Sequence, residues 1–422
     1  MDTSKFVRKN RTGYVLYIGN YLNEAIVKER GLPTRNPAGS NRMRRIAEAI
    51  KGQGQSIAIV SPAITLRTSW QGQLLHSSRW QSAGKIPVLF CAAVGLPILG
   101  ALLEPFVLLW TLQSFAAQRR IEGVILYNFN PTLVLVALWI KLFWQVPLVN
   151  NIEDISQPKL IDWLPQTEAR PVQQLVFSIC MTIIIRLCQG IIIPTQKFAI
   201  VIPPNKPYLI ISGCMPMTTA KLENASNKTD DRPIQLLYAG KIEFEHGIQH
   251  LLETLSLISK DEKLAKKFTV YICGKGGKSE WTINYLSKLK KLDIRYHGFV
   301  SDTEYQQLLS QADVCIALQN PQGRYGSAKT PSKVYEYLGN GKMVIATKVG
   351  DLSLLPSEVI TLCDLNNQQS LYQELINIAR NPQLPQIRGQ AAANYAKKYF
   401  AYSEVGKKLV QFIFNLSPEK FA

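Results

Sequence analysis

The residues best placed to do chemistry lie between Tyr325 and Thr347. Thr330 is suited to cap a helix and Pro331 to sit in its first turn, so a short helix is expected to begin there. It should stop near Gly339 or Gly341, with a strand from Met343 to Thr347 behind it. Unpaired backbone N–H groups at such a start, with Gly323 and Gly326 just before it, collect beside the positive end of the helix dipole. Lys329, Ser332 and Lys333 add cationic and polar groups, and together these make a cradle for phosphate. Glu336 is expected two helical turns inside, where its carboxylate can accept hydrogen bonds from a ribose. Taken alone, the pattern fits a basic loop with a surface carboxylate equally well.

The elements that must position this stretch alternate along the chain. Strands are expected at Tyr14–Gly19, Ser56–Ser61, Gly123–Tyr127, Pro147–Asn151 and Gly190–Pro194, with a basic helix from Arg42 to Lys51. Strands separated by helices imply a parallel sheet with right-handed crossovers, and ligands gather at the carboxyl ends of such strands. That places the loop Asn36–Asn41, which carries Gly39 and Ser40, around one cleft with the pair Glu153 and Asp154. The pair fits a solvated strand cap as well.

The polar tract within residues 206–232 reads as a linker between an N-terminal domain (1–205) and a second domain (233–400). The second domain repeats the alternation. Its strands are Gln235–Ala239, Phe268–Cys273, Ile294–His297 and Val314–Leu318, and its helices are Gly247–Ile258, Glu280–Leu289 and Asp302–Ser310. The fold class is α/β, two Rossmann-like, doubly wound parallel-sheet domains facing an interdomain cleft. A last helix, Ser403–Asn415 within 401–422, can pack back across the hinge onto the first domain.

Composition bounds the reading. The chain has 422 residues, 46% hydrophobic and 18% charged, as expected of a globular protein with separate cores. Its seven cysteines are odd in number, scattered, and mostly set in apolar runs, so they read as buried thiols in a reducing compartment. No signal-peptide core precedes the first strand, so a cytoplasmic location is expected. The formal net charge is +18, and residues 1–85 hold fourteen Lys and Arg against four Asp and Glu. Such a front attracts phosphate-rich partners. No nucleic-acid module accompanies it, so an anionic membrane surface is the expected partner.

Glu104 is the sole charge between Lys85 and Arg119, and Ile86–Leu103 is an apolar run of membrane-span length. Strands on either side must join one sheet, which excludes a single crossing. A buried helical pair, a shallow monotopic insertion and a hairpin broken near Pro97 and Pro105 remain for the segment 86–118, with Arg42, Arg44 and Arg45 drawn to lipid and Phe90, Leu96 and Phe106 inserting. The stretch Leu175–Ile193, interrupted by Arg186, reads as core.

Several pieces in order carry a resemblance: Leu237–Ile248, Tyr271–Gly277, His297–Asp302, Ala312–Val314 and Thr330–Leu338. The series resembles the donor domain of GT-B glycosyltransferases, family 4 (glycosyl transferases group 1). Asn36–Met43 is similar to that family's N-terminal glycine loop, and Ile152–Asp154 stands where many members carry a His-Asp pair. The resemblance implies retaining transfer of a sugar from a UDP- or GDP-sugar, without a metal or other cofactor, to a lipid-linked or saccharide acceptor in polysaccharide or glycoconjugate synthesis. It sets Gly240 and Lys241 beside the diphosphate, with His246 where a lysine is usual, and makes Glu336 the second glutamate of the family's pair. Ala328 stands at the first, so Lys329 or loop backbone would have to replace the usual grip on the sugar.

These parts fit the chemistry. Breaking the bond from the anomeric carbon to phosphate builds positive charge on the sugar and negative charge on the diphosphate, and groups aimed at the latter stabilise the transition state. Lys241, Lys333 and the helix start are the candidates, while Glu153 or Asp154 can orient the acceptor hydroxyl or shield the cationic carbon. A nucleotide-sugar epimerase of the same architecture and a non-catalytic partner in membrane polysaccharide assembly are the competing functions.

Overall fold

The computed structural model describes residues 13–32, 38–63, 74–153, 171–216, 232–322 and 330–416. The first half contains β1 (Tyr14–Ile18), α1 (Glu24–Glu29), α2 (Ala38–Lys51), β2 (Ser56–Ser61), β3 (Leu75–His76), β4 (Arg79–Ala83), β5 (Ile86–Phe90) and β6 (Ala93–Val94). It continues with α3 (Pro97–Gln118), β7 (Ile121–Tyr127), α4 (Pro131–Phe143), β8 (Leu148–Asn151), α5 (Pro171–Leu187), β9 (Gly190–Ile193) and β10 (Tyr208–Ile210). Eight strands form one sheet in the order β10-β9-β8-β7-β1-β2-β5-β4, parallel throughout except for the β4–β5 pair. β2, β8 and β9 are almost continuous runs of buried side chains, as strands covered on both faces must be.

The second half holds β11 (Ile234–Ala239), α6 (Ile248–Ile258), α7 (Glu262–Ala265), β12 (Phe268–Cys273), α8 (Ser279–Leu286), β13 (Asp293–Gly298) and α9 (Asp302–Gln311). After these come β14 (Val314–Ala317), α10 (Ser332–Gly339), β15 (Met343–Thr347), β16 (Thr361–Cys363), α11 (Gln368–Arg380), α12 (Leu384–Tyr399) and α13 (Tyr402–Asn415). Six parallel strands run β13-β12-β11-β14-β15-β16. The chain crosses between the two sheets at a bridge between Met215 and Ala401. Beyond it α13 returns to the first domain, where Val405, Leu409 and Ile413, spaced by four, share a core with Met43, Ile46 and Ile50 of α2. All seven cysteines are buried and unbridged.

The first sheet is doubly wound. α2 and α13 cover one face, and α3, α4 and α5 cover the other, where Leu108, Leu112, Leu133, Val136, Ile184 and Ile185 meet Leu16, Val60 and Val124. Several expectations change here. The run Ile86–Leu103 is not one apolar unit: its first five residues are β5, paired with β2 and β4, and the helix starts only at Pro97. Phe90 is consequently buried in the sheet core and cannot insert into lipid, whereas Phe106 is exposed. β5 and β7 do lie in the same sheet, so α3 lies along it. Among the described residues Leu99–Gln118 is the one helical stretch long and apolar enough to cross a membrane, judged by length and composition.

The linker expected at 206–232 is also shorter at its front, because β10 pairs with β9 and extends the first sheet; residues 217–231 lie outside the described ones. Leu175–Ile193 is core on one side only: α5 buries Met181, Ile184 and Ile185 but exposes Leu175, Val176 and Ile179.

Candidate active site

The carboxyl ends of β1, β7 and β8 form one wall of the site. Glu153 follows β8, and its Oε1 accepts from Arg42 Nε at 2.8 Å and from Asn151 Nδ2 at 3.0 Å. Its backbone N–H donates to Asn128 Oδ1 at 2.7 Å, and Asn128 holds a left-handed φ of 57° to reach it. Arg42 also donates to the Ile211 carbonyl. Burial opposes its charge, but the Glu153 carboxylate, aided by Cys214 and Tyr17, outweighs that and raises its pKa, so the guanidinium stays charged. Tyr17 Oη and Asn151 Oδ1 are buried here without a hydrogen-bond partner among the described residues. Asp154 lies outside the described residues.

Gly39 and Ser40 do reach this wall, but not as a loop. α2 begins at Ala38, so both sit in its first turn, and Ser40 Oγ accepts from Leu22 N at 2.9 Å, tying down the segment after β1. A Cβ on Gly39 would come within 2.9 Å of the Tyr127 hydroxyl, which explains the small residue.

The opposite wall is α10. The helix begins at Ser332 behind Pro331, with no side-chain cap, so Thr330 is not its cap and Glu336 lies about one turn inside rather than two. Proline's fixed φ of −58° ends the extended segment at that residue. Gly323, Gly326, Ala328 and Lys329 fall outside the described residues. Lys333 sets its Nζ 4.1 Å from the ring centroid of Tyr305, and burial lowers its pKa, opposed by Cys273 and Glu336. Glu336 Oε1 accepts from Gln306 Nε2 at 3.3 Å, and Oε2 accepts from Arg45 Nη2 at 3.2 Å.

The loop after β11 stands beside α10, since Tyr337 Oη donates to the Ala239 carbonyl at 3.4 Å. Gly240 belongs to it, and Gly274 packs so close that a Cβ on Gly274 would fall 1.7 Å from the Gly240 oxygen. Lys241 is exposed. The Tyr238 hydroxyl lies 3.0 Å from the Lys241 carbonyl and 2.9 Å from that of His246, which folds this loop over the end of the strand and leads it into α6. Among the described residues, no group of three or more His, Cys, Asp or Glu side chains could hold a metal ion.

The structure therefore brings Gly39, Ser40 and Glu153 to one wall, and Gly240, Lys241, His246, Ser332, Lys333 and Glu336 to the other. Arg42 and Arg45 are the cleft residues that sequence reasoning assigned elsewhere. They point at carboxylates around the cleft, not at lipid, and Arg44 pairs with Glu48 at 3.3 Å along the helix. The signal was available: two arginines three apart in a helix that follows the first strand share a face at the carboxyl edge of the sheet. Gln306 carried no such signal.

Known proteins share this architecture. Residues 220–395 match the family model described as glycosyl transferases group 1. The glycogen synthase of Mycobacterium tuberculosis is 28% identical over 145 residues, 33% of this chain and 34% of that protein, so the match spans about a third of that relative. Among solved structures, sucrose-phosphate synthase from Thermosynechococcus elongatus superposes with a TM-score of 0.66 at 13% identity, covering 96% of this chain and 99% of that one. HepE from Anabaena in complex with UDP-glucose gives a TM-score of 0.62 at 14% identity, over 96% and 100% of the two chains. The fold is that of the GT-B glycosyltransferases.

Proposed function

We infer that this chain, a GT-B protein whose residues 220–395 belong to the glycosyl transferases group 1 family, is a glycosyltransferase that uses a nucleotide-sugar donor. The observation that carries the reading is Glu336: it lies on α10, inside the family-matched segment, at the boundary where Arg45 of the other domain reaches it. Its carboxylate is the group assigned to the donor ribose. UDP-glucose in the like-folded HepE supports a UDP-sugar, and a GDP-sugar is the alternative donor.

The reaction breaks the bond between the anomeric carbon and the diphosphate oxygen and forms one from that carbon to the acceptor hydroxyl oxygen. The nucleoside diphosphate leaves, and the hydroxyl proton passes to it or to solvent. Lys241, Lys333 and the N–H groups at the start of α10 meet the growing negative charge, with no metal assigned to it. Glu153, fixed by Arg42 and Asn151, orients the acceptor from the first domain. Retention at the anomeric carbon, a lipid-linked or saccharide acceptor, a role in polysaccharide or glycoconjugate synthesis, and a peripheral or monotopic place at the inner face of the cell membrane complete the proposal.

The test is incubation with radiolabelled UDP- and GDP-sugars and a membrane extract. Label should move from one donor into extractable lipid or saccharide. Release of a free altered sugar nucleotide without transfer would indicate an epimerase, and inertness toward every donor would indicate a non-catalytic partner.

A further inference from the structure

We propose that the outer face of α3, α4 and α5 is a docking surface for anionic membrane lipid. α3 exposes Leu99, Leu102, Phe106 and Trp110, whose spacing of three, four and four keeps them on one side of the helix. α4, packed beside it, exposes Leu135, Leu138 and Leu142 with the same period, and α5, packed beside α4, exposes Leu175 and Ile179. Phe106 and Trp110 are 68% and 69% exposed, although their helix turns Leu108, Leu112 and Phe115 into the core. Three neighbouring helices thus carry an apolar inner face that builds the domain and an apolar outer face that no described residue covers.

The second domain provides an internal contrast. α12 carries Arg388, Lys397 and Lys398 over its length, the composition expected of a helix whose outer face meets water. α3, α4 and α5 together carry three charged side chains, Glu104, Lys141 and Arg186. Glu104 does not interrupt the face, for it is largely buried beside the Thr132 hydroxyl of α4, and that burial pushes its carboxyl up to about 7.

Charge selects the occupant. The three helices run side by side, each leading into a parallel strand of one sheet, so their carboxyl ends share one edge. Arg119 and Arg120 follow α3 there, Lys141 lies in the last turn of α4, Arg186 lies in the last turn of α5, and Lys206 bonds the Cys188 carbonyl just beyond it. Glu122, 3.6 Å from Arg120, is the acidic residue beside them. An apolar plane with exposed Phe and Trp and a basic edge matches an anionic bilayer, whose headgroups meet the cations while the Leu, Phe and Trp side chains enter the interface.

The opposite ends of the helices lie at the carboxyl edge of the sheet, beside the wall that holds Glu153. A lipid-linked acceptor could therefore keep its tail in the bilayer while its head group enters the cleft. That last step rests on the glycosyltransferase reading; the docking does not.

Flotation with vesicles of equal parts phosphatidylcholine and phosphatidylglycerol tests the docking without reference to activity. Wild type should float at low salt and less with phosphatidylcholine alone. Phe106→Glu with Leu142→Glu, both at exposed positions, should lower partitioning about a hundredfold while leaving the unfolding midpoint unchanged. Arg120→Glu with Arg186→Glu should lower it about tenfold at low salt, and the difference should shrink as salt rises. A second measurement needs no charge-introducing variant: brominated lipid should quench wild-type fluorescence, and the part lost in Trp110→Phe should be the quenched part. Wild type left unfloated, a Phe106→Glu/Leu142→Glu variant that floats like wild type, or equal binding to phosphatidylcholine alone would overturn the proposal. So would a concentration-dependent dimer, abolished by that variant, in a protein that ignores vesicles, since a second copy would then be the occupant.

Discussion

Two arginines one turn apart on α2 each hold a carboxylate, and the two pairs differ in what they join. Arg42 and Glu153 meet at 2.8 Å with both side chains 15% exposed, inside the first domain and braced by Asn151 and the Ile211 carbonyl. Arg45 and Glu336 meet at 3.2 Å with side chains 23% and 16% exposed, across the boundary between the domains. The same residue types at nearly the same depth are thus a fixed part of one wall in the first case and an exchangeable contact in the second. A ligand that takes Glu336 must displace or share Arg45, whereas nothing need disturb Arg42.

The comparison can be broken by substitution. The largest effect is expected for Arg42→Ala, which leaves the Glu153 carboxylate largely buried without its cation and should cost about 3 kcal/mol of stability in urea unfolding. Adding Glu153→Gln should recover much of it, and a cost below about 1 kcal/mol for the single variant would show that the pair does not brace the wall. Glu336→Gln is next: loss of a charge-assisted hydrogen bond to ribose should lower kcat/KM for the donor about thirtyfold, near 2 kcal/mol, with an unchanged melting temperature. Lys241→Ala, exposed and without a structural role, should lower kcat/KM about tenfold by weakening contact with the diphosphate; wild-type kinetics would remove it from the donor site. Arg45→Ala comes last, with a stability loss of less than about 1 kcal/mol for a partly exposed pair. Its mark should appear in small-angle scattering of the unliganded protein as a larger radius of gyration, and an identical profile would mean that this contact does not hold the domains together.

The second domain was far more legible in sequence than the first. Phe268–Cys273 and Met343–Thr347 are buried parallel strands bounded by polar turns, and their limits could be read to the residue. β5 was missed because a fully buried strand and the apolar helix that follows it share one composition, and periodicity cannot divide them; only the pairing of Ile86–Phe90 with β2 and β4 does. β4 is an edge strand with alternating exposed positions and gave no apolar run to notice. That Glu336 lies on a short helix behind a proline was likewise legible from local chemistry, but its depth of about one turn was not. Its partner was not, because Arg45 lies 291 residues earlier and the arginines of α2 look from sequence like a basic surface. The outer apolar face of α5 was hidden for a related reason: a helix apolar all round reads as core.

The central claim is that Glu336 holds the ribose of the donor and that Arg45 occupies it beforehand. Isothermal titration of UDP, and separately of GDP, into wild type, Glu336→Gln and Arg45→Ala tests this directly. One nucleotide should bind wild type, bind Glu336→Gln about thirtyfold more weakly, and bind Arg45→Ala somewhat more tightly, since no ion pair must then be broken. If neither nucleotide binds wild type, or if the better one binds Glu336→Gln with wild-type affinity, α10 is not the donor wall and the assignment fails.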